Sequence, residues 1–102
     1  MVRLKNLDDY EFVKFKKSNR RFSKYDAVLK NKHSGLTRLI PFGAIRRLNN
    51  IPYDQYKDNT GLGLYSKYDH GDKKRRENYR KRHKGEEKYK FSSGWFSWKY
   101  LW

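Results

Sequence analysis

Between Phe22 and Leu29 the chain alternates: Tyr25, Ala27 and Leu29 are interleaved with Asp26 and Val28, the period of a strand. Asn31-Lys32-His33-Ser34-Gly35 follows with turn chemistry, Gly35 being able to supply the positive φ that such loops need. Leu36 to Phe42 then reads as a second strand, with Pro41 near its end, which fits an edge position. The pattern predicts a β-hairpin over about 22–42. Upstream, charged residues are mixed with Phe12, Val13, Phe15 and Phe22, a pattern open to a short strand or an extended arm. Residues 1–21 are therefore set apart as a basic N-terminal arm, and 22–102 are read as one small α+β domain.

Past the hairpin, Ala44 to Asn50 suits one helical turn or a loop, ended by Asn49, Asn50 and Pro52. Gly61-x-Gly63 suggests a tight turn; with no third glycine and no helix in register, it is no phosphate-cradling fingerprint. A basic helix is predicted over about 72–84, with Asp69 or Asp72 as its cap and Gly85 as its stop. Tyr79 is its one large apolar side chain, so it cannot hold itself by core packing. A second helix is predicted over about 93–102, capped by Ser92 or Ser93. There Trp95, Trp98 and Trp102 fall on one face, with Phe96 and Tyr100 on an adjacent one. These rings are expected to close the core over the hairpin; docking of a partner is the alternative use.

Composition sharpens this picture. Hydrophobic residues make up only 35 %, yet 18 % of the chain is aromatic, so a small folded body built on large rings is expected. Cysteine is absent, which excludes disulfides, thiol catalysis and thiolate zinc sites. No run is long and apolar enough to span a membrane, and the first residues carry no secretory h-region, so an intracellular, non-membrane protein is expected.

Charge changes the picture most. Lys+Arg number 26 against 11 Asp+Glu, a net charge of +15. It sits in two blocks, +5 over residues 1–24 and +7 over 73–90, flanking a nearly balanced centre of +2. Such density attracts polyanions, and nucleic acid is the commonest one. The candidate phosphate contacts are Lys73, Lys74, Arg75, Arg76, Arg80, Lys81, Arg82 and Lys84, with a second patch at Lys14, Lys16, Lys17, Arg20 and Arg21. Tyr65, Tyr68 or Tyr79 would be available to stack on unpaired bases. For catalysis the signals are thin. Asp69, His70 and Asp72, with Asp54 and Asp58 as further candidates, are the side chains to weigh for a divalent metal, but Lys73 to Arg76 follow at once and repel a cation. No catalytic residue, metal or cofactor is assigned.

Several segments also resemble a known group. Lys24-Tyr25-Asp26-Ala27-Val28-Leu29, Pro41-Phe42-Gly43, Gln55-Tyr56-Lys57-Asp58, the run from Asp69 to His83, and Trp95-Phe96-Ser97-Trp98-Lys99-Tyr100-Leu101-Trp102 resemble a family of small basic uncharacterised proteins of giant DNA viruses, with related short proteins in some phages. The pattern covers about 22–102, and its most specific parts are Asp-x-x-Arg-Arg-x-x-Tyr-x-x-Arg from Asp72 and the Tyr-Leu-Trp at 100–102. The resemblance implies a viral setting, in the virion or the infected cell, and no catalytic residues. The expectation is a sequence-tolerant binder of nucleic acid, double-stranded DNA first, acting in genome packaging or condensation. The rival is a minor capsid (cement) protein on the inner face of the shell, anchored by Trp95, Phe96, Trp98, Tyr100 and Trp102.

Overall fold

A computed structural model describes residues 7–102. Strands β1 (Tyr10–Lys17), β2 (Ser23–Asn31) and β3 (Thr37–Ala44) form one antiparallel sheet in the order β1-β2-β3, followed by helices α1 (Lys73–Arg82) and α2 (Ser93–Tyr100). The chain is a small α+β protein.

The hairpin is β2–β3. Its turn is held by the Asn31 side chain, which accepts from the amides of His33 and Ser34, and Gly35 takes a φ of 74°. β3 is an edge strand, so Pro41, opposite Asp26, deprives no further strand of a ladder hydrogen bond.

β1 falls within the stretch set apart as an arm. It pairs with β2 from Tyr10 opposite Asn31 to Lys17 opposite Tyr25, so the sheet starts well before residue 22. Residues 1–6 of the expected arm lie outside the described residues. A bulge between Phe12 and Lys14 is what hid the strand. The extra residue, Val13, brings Phe12 opposite Leu29 and Phe15 opposite Ala27, so two rings three positions apart share one face and meet at 4.7 Å. A two-residue period does not survive such an insertion.

One face of the sheet carries the core. Tyr25, Ala27, Leu29, Ile40 and Phe42 are buried there with Phe91, Phe96 and Leu101, and Phe15 and Tyr10 pack against them. Phe96 is the hub, within 6.1 Å, centroid to centroid, of Phe12, Phe15, Phe42, Phe91, Trp95 and Tyr100.

The helices begin where side-chain oxygens take their free amides. Asp72 accepts from Lys74 N at 2.9 Å and Arg75 N at 3.3 Å, and Ser92 accepts from Trp95 N at 3.1 Å. Gly85, at φ 103°, turns the chain after α1. Asp69 does not cap. It pairs with the irregular stretch between β3 and α1, in which Gly61 and Gly63 have positive φ as a tight turn requires. Ala44 to Asn50 closes as a turn, with Asn50 at φ 57° and Ile45 bridging to Pro52. Among the described residues no helix is long and apolar enough to cross a membrane.

Candidate nucleic-acid interface

α1 distributes its cations between two tasks. Arg76 lies over the Tyr56 ring at 4.4 Å, and Arg80 lies over Trp98 at 5.1 Å while donating to the main-chain oxygen of Trp102 at 3.1 Å. Both are half-buried, and they fasten a helix that has no buried residue of its own. Lys73, Lys74, Arg75, Lys81, Arg82 and Lys84 are exposed. Of these, Lys74 pairs loosely with Glu77 at 3.9 Å and Arg75 with Asp54 at 3.6 Å. The set of α1 cations free for a ligand is thus smaller than the sequence suggests, because Arg76 and Arg80 are engaged within the protein.

The tail differs from expectation in which face is buried. Phe96 and Leu101 enter the core, whereas Trp95, Trp98 and Trp102 are only partly buried. The contact stripe of α2 runs through Phe96 and Tyr100, four residues apart, and the larger indoles cover its flanks. Trp102 stacks on Tyr79 at 4.2 Å with 3° between planes, and Tyr79 stacks on His83 at 4.1 Å. This column docks α1 onto the end of the chain, so Tyr79 is a structural ring and has no face left for a base. Burial and the carboxylate of Glu86 raise the ionisation of its phenol well above the ordinary range. Tyr65 is likewise used, edge-on to Tyr25 at 5.3 Å, and Tyr68 lies beneath Lys67.

A cleft of about 360 Å³ opens between the end of β3, the Tyr53–Asp54 segment, α1 and α2. Four cations line it, Lys24, Arg46, Arg75 and Arg82, against a single carboxylate, Asp54; Tyr53, Tyr79 and Trp102 supply rings. Gly43, at φ 79°, forms part of the wall; a Cβ there would be strained by the backbone and crowded, at 3.0 Å from Lys24 and Leu101 atoms.

Lys24 is the unexpected member. In an alternating strand, the polar residue beside Tyr25 belongs on a solvent face. Instead the 53–71 stretch folds over it and leaves it 1 % exposed. Its ammonium donates to Tyr53 O at 2.6 Å and Gln55 Oε1 at 2.8 Å. Gln55 Nε2 in turn donates to Tyr65 O and to Asp69 Oδ1, which also accepts from Asp58 N. Asp58 accepts from the Tyr25 hydroxyl, which itself accepts from Leu64 N. This chain of polar contacts pins the irregular segment to β2. Burial lowers the Lys24 pKa to about 8, despite the nearby charges of Asp54, Asp58 and Asp69.

The N-terminal patch meets this cleft through residues that composition and spacing did not single out. Arg20 and Arg21, in the β1–β2 connection, and Lys17 are exposed; Lys16 is half-buried opposite Asp26. Arg21 and Arg47 both lie against Phe22, at 5.3 and 4.7 Å, and Arg21 donates to Asn50. Arg46 lies over Tyr53 at 4.5 Å and lines both the cleft and a shallower depression around Phe22 and Arg47. Arg46 and Arg47 thereby join charge blocks that lie some fifty residues apart in sequence. Their mark in the sequence was the pair itself, in the nearly balanced centre.

The acidic side chains weighed as metal ligands have other partners: Asp54 takes Arg75, Asp58 takes Tyr25 and Thr60, and Asp69 and Asp72 take main-chain or amide donors. His70 Nδ1 accepts from Asp72 N, and burial and then the charge of Arg75 lower its pKa. No group of three His, Cys, Asp or Glu arranged to hold a metal occurs among the described residues. No protein-family model, no curated protein and no solved structure matches the chain.

Proposed function

We propose that this chain binds nucleic acid with little regard to sequence, through a basic track that runs from Arg20, Arg21 and Arg47, past Arg46, to Arg75 and Arg82. The observation that carries the reading is the convergence of two remote charge blocks on one cleft with four cations against one carboxylate. Lys73, Lys81 and Lys84 extend the track along the exposed side of α1. Guanidinium and ammonium contacts with phosphates neutralise the polymer, release counterions and carry no sequence information. Packaging or condensation of a viral genome, on double-stranded DNA, is the role we attach to this activity, from the family resemblance. The cement reading is weaker because its anchor is occupied: Trp95, Trp98 and Trp102 are packed against Phe96, Arg80 and Tyr79.

Fluorescence anisotropy with two unrelated duplexes across a salt series tests the proposal. Both should bind alike, with affinity falling linearly in log–log form. Replacing Arg46, Arg47, Arg75 and Arg82 by Gln should flatten the slope by about 0.9 for each phosphate that is no longer neutralised. An unchanged slope in that variant would remove the track from the interface.

A further inference from the structure

The cleft itself is too small for a duplex. At about 360 Å³ it lies near the lower end of small-ligand sites and takes a group of about one nucleotide. The Lys24 ammonium, covered and donating to Tyr53 O and Gln55 Oε1, adds positive charge behind the wall of the cleft. None of the ion pairs among the described residues includes Lys24, although it is 1 % exposed. The guanidinium of Arg82, on the same wall, makes no hydrogen bond or ion pair with the described residues. Arg46 and Arg75 complete the ring of charge, and Arg75 is only loosely held by Asp54.

We infer that the cleft is a phosphomonoester site, which receives the terminal phosphate of a nucleic-acid strand or a free mononucleotide among Arg46, Arg75 and Arg82, with the buried charge of Lys24 behind them. A monoester carries a charge of about −1.5 to −2 near neutrality, against about −1 for an internal diester, and suits a wall with an excess of three cations. An internal phosphate, flanked by two sugars, can meet the exposed Arg75 and Arg82 from outside but cannot enter a concave site of this size, whereas a strand end can. The free face of Tyr53, the face not covered by Arg46, offers the attached sugar or base a ring to lie against. The strand-end form of this inference rests on the nucleic-acid reading above; the mononucleotide form does not.

The test uses the whole chain and three duplexes of one sequence, ending in 5′-phosphate, 3′-phosphate or hydroxyl groups, with adenosine monophosphate and inorganic phosphate as free probes in thermal melting. A phosphorylated end should bind about tenfold tighter or more than the hydroxyl end, the gain of one charge-assisted hydrogen bond. Arg82→Gln, at an exposed position where folding is not at stake, should bring that ratio close to one. Equal binding of all three ends, with no stabilisation by the free probes, overturns the inference and leaves the nucleic-acid reading standing. Stabilisation by the free probes that Arg82→Gln abolishes, with no duplex bound, supports the cleft site and sinks the nucleic-acid reading. No response to any ligand defeats both.

Discussion

Lys24 holds its ammonium in a site almost closed to water, and this has a consequence for stability. Its pKa is about 8 in the folded protein and 10.5 ordinarily, so between those values the unfolded chain binds the proton more tightly and stability rises with pH. The tyrosines act in the opposite sense at higher pH. Burial and the Asp58 contact raise Tyr25 to about 12, and Tyr79 is raised too, so above about pH 10 the unfolded chain loses those protons first and stability falls. Urea unfolding at about pH 7.5 and about pH 9.5 should therefore show a gain of about 2 kcal/mol, absent in Lys24→Met. A second residue-scale expectation concerns Phe96, at the centre of the aromatic core. Phe96→Ala should cost about 3–5 kcal/mol, and Trp98→Ala, on the flank, clearly less. The reverse order in urea midpoints would restore the tryptophans as the core face.

Among the elements, α1 shows how local chemistry and tertiary fastening divide the work. Asp72 caps it through two amides, so Asp72→Ala should lower stability by about 1 kcal/mol, read from urea midpoints, and Asp72→Asn should cost less. The fastening is separable from binding. Arg76→Gln with Arg80→Gln should lower the melting temperature by freeing α1 from Tyr56, Trp98 and Trp102, while Arg75→Gln with Arg82→Gln should leave melting nearly unchanged and weaken duplex binding. Capped helices and the Gly35 hairpin were legible because each is specified within a few residues: Asp72 before Lys73–Arg82, Ser92 before Ser93–Tyr100, Asn31 with Gly35. β1 was legible only as one of two options, a short strand or an arm, since the bulge at Val13 breaks the alternation by which strands are recognised. The basic helix likewise gave no sign of which arginines faced inward; that is decided by where Tyr56, Trp98 and Trp102 come to lie, which only the tertiary fold fixes.

At the scale of the whole molecule, the site is a product of topology. Lys24, Arg46 and the α1 pair Arg75 and Arg82 come from three separate segments, and nothing local to any one segment marks it as a neighbour of the others. The sequence therefore revealed the charge excess and its blocks but not the cleft, nor the burial of one lysine within it. The same charge excess sets a final expectation. At +15 the folded chain repels itself, and the two ion pairs of Lys or Arg with a carboxylate among the described residues are exposed and long, Lys74–Glu77 at 3.9 Å and Arg75–Asp54 at 3.6 Å. Exposed pairs of that kind contribute about 0–1 kcal/mol each, so screening has little attraction to remove and much repulsion. Raising the salt from low to moderate, where the screening length is about 10 Å at 0.1 M, should raise the melting temperature. Nucleic-acid affinity should fall over the same interval, because each phosphate contact releases counterions into a bath that already holds them. The two responses carry opposite signs, and differential scanning calorimetry beside anisotropy in one chloride series measures both. A melting temperature that falls with salt would mean that the cations are already neutralised by partners within the protein, leaving too few for a polyanion to claim.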